Sequence, residues 1–337
     1  MTSYPEEMVT TRLLIVGATA AGLLDRVHSA YPQIELQSQA SADGLKQCLE
    51  AFRPTVVHVV NSRQLDDGDW TMLIAFDSVR WIHLGNVGID RLPQWDPGRL
   101  TITNSAGAAA DEMAEYVIGA MLMINTGFLD WRISQTKGLW KQTWWTPLRG
   151  KTLVAVGAGR IGERVIAKAG DLGVRIIAVR NKVLPTPGAE ATFGVSRLHD
   201  ALGEADFIAI QIPLTRETRH LIDAAALARV RRSAWIINVS RGDVIDERAL
   251  TEALVAKRLG GAVLDVFSHE PLPRESPLWG LDNVVVTPHA SSCVTNWSAI
   301  IGEIFLTNLH RFQSCLALHN IVSPRPIEVV AAYGTRG

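Results

Sequence analysis

Three polar residues close short apolar runs in the last third of the chain. Arg241 follows Ile237-Asn238-Val239-Ser240, Glu270 follows Asp265-Val266-Phe267-Ser268-His269, and His289 follows Thr287-Pro288. If each run is a strand, all three stand on its carboxyl side, the edge of an open parallel sheet where ligands bind. Reducing a 2-keto acid needs a cation for the carboxylate, an acid for the forming alkoxide and a hydride donor facing the carbonyl carbon. Arginine suits the first task through its two-pronged donor geometry. Histidine suits the second because it exchanges protons near neutrality, and a carboxylate beside it favours the imidazolium. His269 is a rival base, but it adjoins Glu270 and sequence neighbours point apart, so His289 takes the role. His58, His83 and His220 have no such context and read as structural.

The hydride donor has its own signature. Gly157-Ala158-Gly159-Arg160-Ile161-Gly162 carries G-x-G-x-x-G after the apolar run Thr152 to Val156 and before a helical pattern with Ile161, Val165, Ile166 and Ala169 on one face. Strand before and helix after is the context a dinucleotide fingerprint requires. Gly157 makes the tight turn, Gly159 admits the pyrophosphate, and Gly162 lets helix and strand pack closely. The anion would rest on the helix N-terminus. An NAD site ends its second strand with an acidic residue for the ribose hydroxyls. Here Ile176-Ile177-Ala178-Val179 ends in Arg180-Asn181-Lys182. That reversal of charge favours a 2′-phosphate, hence NADP(H) over NAD(H), with Arg180 as its fork and Lys182 as a second cation.

The elements that must position these residues alternate. Arg12–Val16, Thr55–Val60, Trp81–Leu84 and Leu100–Thr103 read as strands, with helical stretches such as Ser41 to Phe52 between them. Ala108 to Gly127 reads as a helix with Met113, Val117, Ala120, Met121 and Ile124 on one face. Strands follow at Leu153–Val156, Arg175–Val179, Phe207–Ile210, Trp235–Val239, Gly261–Leu264 and Asn283–Val286, then a long helix from Val294 to Phe312. Alternation of this kind predicts parallel α/β sheets with helices on both faces. We expect a doubly wound dinucleotide-binding domain over 104–294. A smaller, flavodoxin-like substrate domain is expected over 1–103 and 295–337, with a cleft between the two. Trp140, Trp144 and Trp145 crowd the segment Gly138 to Gly150, either as core filling or as a subunit contact.

Composition excludes several classes. The formal net charge is −1 over 337 residues, so neither nucleic acid nor an anionic membrane is an expected partner. Cys48, Cys293 and Cys315 lack C-x-x-C spacing, so no disulfide framework and no metal site is expected. Met1 to Thr11 has no apolar core and Val117 to Ile124 is too short to span a bilayer, which predicts a cytoplasmic protein.

Together the glycine fingerprint, Ile237 to Asp246, and Leu264 to Pro273 leading into Thr287-Pro288-His289 resemble the D-isomer-specific 2-hydroxyacid dehydrogenase family, over about Val79 to Pro324. The Leu264–Pro273 stretch and Glu275-Ser276-Pro277-Leu278-Trp279 are most similar to its glyoxylate/hydroxypyruvate reductases. The resemblance implies that Arg241 binds the carboxylate, His289 is the general acid/base and Glu270 orients and charges it. It further implies that Asp265 holds the nicotinamide carboxamide, and that Ile212, Pro213, Thr218, Val239 and Ser240 line the cofactor beside Arg160, Ile161, Arg180, Asn181 and Lys182. In Leu84 to Asp90, backbone N–H groups of Asn86, Val87 and Gly88 would cradle the substrate's carboxylate. A homodimer through the cofactor domain is implied as well. Two other readings keep the fold: an oxidoreductase on another anion, phosphite- or phosphonate-like, and a dinucleotide-sensing binding protein like the family's corepressors.

Overall fold

The computed structural model describes residues 10–19, 22–89 and 91–324. Three expectations fall partly outside them: the lack of a signal peptide up to Val9, Asp90 of the substrate loop, and the first domain's end beyond Pro324. The chain divides into two compact units, one reaching Ala108 and resuming at Thr295, the other running from Ala109 to Val294.

The first unit opens with β1 (Arg12–Val16), α1 (Leu23–Ala30), β2 (Glu35–Gln39), α2 (Leu45–Phe52), β3 (Val56–Val59), α3 (Asp67–Ala75), β4 (Trp81–Leu84) and β5 (Thr101–Asn104). The second holds α4 (Ala110–Thr126), α5 (Phe128–Thr136), β6 (Thr152–Val156), α6 (Arg160–Asp171), β7 (Arg175–Val179), β8 (Ala191–Phe193), α7 (Leu198–Leu202) and β9 (Phe207–Ile210). It continues with α8 (Ala224–Leu227), β10 (Trp235–Asn238), α9 (Glu247–Val255), β11 (Gly261–Leu264) and β12 (Val284–Val286). The chain then returns to the first unit as α10 (Trp297–Gln313) and β13 (Ile321–Val322).

Sheet order in the first unit is β13-β5-β4-β3-β1-β2, parallel except for β13, which pairs antiparallel with β5. Successive strand residues face opposite sides. Leu14, Val16, Val57 and Val59 therefore enter one core, while Leu13, Ile15 and Val56 enter another with Ile301, Phe305 and Leu309 of α10. That second face binds the returning segment to the unit. Ser105 donates to the Leu84 carbonyl at 2.9 Å and Asn320 to the carbonyls of Asn104 and Ala106, each at 3.1 Å. These bonds carry the unit past residue 103 to Ala108.

The second unit is a seven-stranded, all-parallel sheet in the order β12-β11-β10-β9-β6-β7-β8, reversing direction at β6 and β9. That is the doubly wound arrangement, and the reversal opens a crevice at the strands' carboxyl ends. Its seventh strand, β8, is an addition to the six expected. Val154, Val156, Ile208 and Ile210 pack on one face, and Leu153, Ala155, Phe207 and Ala209 on the other. Among the described residues no helix is long and apolar enough to cross a membrane.

Candidate active site

β10, β11 and β12 are parallel neighbours, so the segments leaving their carboxyl ends emerge on one edge. Those segments carry Arg241, Glu270 and His289. Nδ1 of His289 lies 2.7 Å from Oε2 of Glu270, with both side chains about one-third exposed. The other carboxylate oxygen accepts the Phe267 N–H at 3.1 Å, and the next N–H, of Ser268, donates to Glu247 at 2.8 Å. Glu270 is thus held at both oxygens, against its own turn and against the imidazole.

Arg241 stands on the neighbouring turn, half-buried, with Nη1 donating to the Ser240 carbonyl at 2.7 Å. Asn238 secures that turn: its amide donates to the Arg241 carbonyl at 3.1 Å, and its oxygen accepts the Ser240 N–H and hydroxyl at 3.0 and 2.8 Å. A Cβ at Gly242 would overlap the Phe267 backbone. The arginine turn and the glutamate turn therefore press directly on each other.

Asp265, expected at the nicotinamide carboxamide, has a wholly buried side chain. Its Oδ1 accepts the Thr287 hydroxyl at 2.6 Å and the Ala290 N–H at 2.8 Å, and its Oδ2 accepts the Ser291 N–H at 2.9 Å. Its carbonyl takes the His289 N–H at 2.9 Å. Asp265 is the fastener of the histidine loop. Thr287 and Tyr116, which meet at 2.6 Å although 171 residues apart, are site residues that sequence reasoning missed. Thr287 stood in view beside His289, but nothing in α4 marked Tyr116.

The glycine fingerprint spans β6 and α6. Gly157 has φ +105, and a Cβ at Gly162 would strike the Gly157 carbonyl, so neither position admits a side chain without displacement. Gly159 is different: its missing Cβ would point into open space, and as N-cap of α6 it leaves the helix without a side-chain cap. Free N–H groups and room for close approach are what a pyrophosphate needs. The residues present fit a dinucleotide. Ile212 covers Gly157, and Thr218 closes its loop by donating to the Pro213 carbonyl at 2.7 Å. Val239 and Ser240 are buried, and the Ser240 hydroxyl is spent on Asn238. Arg160 is exposed at the start of α6 and Ile161 is half-buried behind it. At the end of β7, the Arg180 N–H is tied to the Phe193 carbonyl, and Asn181 and Lys182 are exposed.

Asn86, Val87 and Gly88 belong to the first unit. All three of their carbonyls are engaged: by the Ser105 N–H at 3.2 Å, the Asn104 amide at 2.7 Å and the Asn86 amide at 2.7 Å. His58 and His83 are fully buried in that unit, His58 stacked on Phe305 and His83 edge-on to Trp81. The tryptophan segment is no core filling. Trp140, Trp144 and Trp145 are 102%, 93% and 51% exposed. Trp144 and Trp145 border a cavity of about 320 Å³ with Lys151, Asp206 and Trp235, residues at the amino ends of β6, β9 and β10. That edge is opposite the one bearing Arg241, Glu270 and His289.

Residues 118–291 match the model of the D-isomer specific 2-hydroxyacid dehydrogenase NAD binding domain. The chain belongs to the D-isomer specific 2-hydroxyacid dehydrogenase family. Among its relatives is the glyoxylate/hydroxypyruvate reductase B of Pectobacterium carotovorum, 36% identical over 65% of this chain and 70% of that protein. Another is the (S)-sulfolactate dehydrogenase of Chromohalobacter salexigens, 31% identical over 68% of this chain and 74% of that one. A D-isomer specific 2-hydroxyacid dehydrogenase from Xanthobacter autotrophicus, solved in complex with NADPH and MES, superposes with a TM-score of 0.78 at 25% identity, covering 94% of this chain and 99% of its own. Family membership makes the chain an oxidoreductase that uses a nicotinamide dinucleotide.

Proposed function

We propose that this 2-hydroxyacid dehydrogenase reduces a small 2-keto acid, of the glyoxylate or hydroxypyruvate kind, to the D-2-hydroxy acid, with NADPH as preferred reductant and NADH as the weaker one. The 2.7 Å pair of His289 and Glu270, on the same sheet edge as Arg241, carries this reading. A reduced nicotinamide, when bound, supplies the hydride to the carbonyl carbon. Arg241 holds the carboxylate through its two-pronged guanidinium and draws charge toward the carbonyl oxygen. Nδ1–H of His289 faces Glu270, which leaves Nε2 to give its proton to that oxygen. Glu270 balances the imidazolium before the transfer and fixes the ring's orientation.

In the first unit, the engaged carbonyls of Asn86, Val87 and Gly88 support the assignment of that loop's N–H groups to the substrate's carboxylate. The NADPH preference rests on Arg180 and Lys182 at the end of β7, and the NADPH-bound relative supports it. A cytoplasmic homodimer is part of the proposal, joined through the second unit, where the exposed tryptophans offer the apolar, aromatic surface of a subunit contact.

The test is steady-state oxidation of NADPH and of NADH with glyoxylate, hydroxypyruvate, pyruvate, phenylpyruvate and sulfopyruvate. Turnover with NADPH and a two- or three-carbon keto acid supports the proposal. Tight NADPH binding with no turnover on any keto acid would move it to another anion or to a sensor.

A further inference from the structure

Left-handed backbone is costly for a residue with a Cβ. His289 adopts it, with φ +52. Such a conformation persists only where the surroundings over-determine it. Here they do. The His289 N–H is held by the Asp265 carbonyl, and the Ala290 and Ser291 N–H groups by the two Asp265 oxygens. The Thr287 hydroxyl donates to Oδ1 of the same carboxylate at 2.6 Å. A threonine hydroxyl has one proton, and Thr287 gives it to Asp265. The phenol of Tyr116, 2.6 Å away, must then be the donor toward Thr287. Every proton in the chain runs one way, from Tyr116 through Thr287 to Asp265. Burial raises the Tyr116 phenol above its ordinary value, the bond to Thr287 offsetting part of this and the charge of Asp265 adding to it, so the donor stays protonated.

We propose that Tyr116, Thr287 and Asp265 form a positioning relay for the His289 loop. The relay anchors that loop to the middle of α4 and keeps Nδ1 of the imidazole on Glu270. The proposal rests on the reading of His289 as proton donor. None of the three residues touches the reacting atoms. Each acts through the backbone on either side of His289, and the outermost, Tyr116, reaches it from a helix at the start of the unit.

Thr287→Val keeps the side chain's shape and removes both bonds, Thr287→Ser restores them, and Tyr116→Phe removes only the outer one. Since misplacing a reacting group by about 1 Å can cost about 100-fold, Thr287→Val is expected to slow single-turnover hydride transfer to glyoxylate by about 10- to 100-fold. NADPH affinity and melting temperature should stay near wild type, the serine variant should recover most of the rate, and Tyr116→Phe should fall between. Histidine ¹⁵N spectra give a readout independent of turnover, with the His289 signal assigned by its loss in His289→Ala. The Nδ1 shift that marks the bond to Glu270 should change in Thr287→Val and return in Thr287→Ser. An unchanged shift in Thr287→Val overturns the relay whatever the rates. So does a Thr287→Val rate within about twofold of wild type in an enzyme that His289→Ala inactivates. Full turnover by His289→Ala would instead refute the proton-donor reading, and the spectra alone would then decide the relay.

Discussion

Nδ1 of His289 and Oε2 of Glu270 are 2.7 Å apart, and the second oxygen of Glu270 is committed to its own turn through the Phe267 N–H. The carboxylate cannot swing away without breaking a backbone bond. In the proposed mechanism Nδ1–H points at Glu270, Nε2 carries the proton that the keto oxygen receives, and the carboxylate's charge faces the ring. Glu270→Gln preserves size and hydrogen bonding but removes that charge. It is expected to lower kcat for keto-acid reduction by about 100-fold, within the range a positioned acid contributes, with NADPH affinity unchanged. Stopped-flow turnover beside a fluorescence titration of NADPH checks both halves.

Arg180 is expected to discriminate between cofactors through the 2′-phosphate alone. A charge-assisted bond of this type contributes about 1.5–3 kcal/mol, so Arg180→Ala should reduce kcat/KM for NADPH by roughly 10- to 100-fold and change that for NADH little. Equal losses with both cofactors would show that Arg180 stacks on the adenine instead.

Gly242 is the contact between the arginine and glutamate turns. Gly242→Ala forces a methyl group into the Phe267 backbone, and since backbone has no rotamer with which to give way, the turns must separate. Overpacking of this kind costs about 1–3 kcal/mol or more. The expected result is a lower melting temperature together with a raised KM for the keto acid, measured by calorimetry and initial rates.

Acid should weaken the first unit through a buried histidine. Burial pushes the His58 imidazole down to about 4, the hydrogen bond to the His83 carbonyl offsetting only part of it. Its Nε2 is buried without a partner among the described residues, so a proton there has no acceptor. His83 is lowered as well, chiefly by burial. An unfolded histidine titrates near 6.5, so the unfolded chain takes up the proton first. His58 therefore leaves stability intact above about pH 6.5 and removes it as pH falls toward 4, by about 3 kcal/mol in all. Chemical denaturation from pH 7.5 to 4.5 should show this loss, reduced in His58→Gln. An identical acid limb in the variant would contradict the assignment.

Much of this was legible in the sequence, because strands such as Leu153–Val156 and Phe207–Ile210 are short, wholly apolar and flanked by glycines or polar turns. The Glu270–His289 pair was legible for a related reason: both residues follow strands, and parallel strands deliver their ends to one edge. Three strands escaped: β2, β8 and the two-residue β13. In β2, Glu35-Leu36-Gln37-Ser38-Gln39, an edge position leaves four polar residues in five. In β8, three half-exposed residues give no periodicity to read. The Tyr116–Thr287 contact escaped because only the packing of α4 beside β12 brings the two together. The depth of Asp265 was not legible either: its complete burial emerges only once the Ala290 and Ser291 N–H groups are placed around its carboxylate. Likewise the three tryptophans in one loop spelled either core or surface, and exposure decided for surface.

The most direct test of the central claim is hydride transfer by His289→Ala. Mixed with NADPH and glyoxylate in a single turnover, the variant should bind NADPH as wild type does. It should transfer hydride at least about 100-fold more slowly, as expected on removing a general acid. Transfer at the wild-type rate would show that the proton comes from elsewhere, and that the pair at the sheet edge is not the catalytic acid.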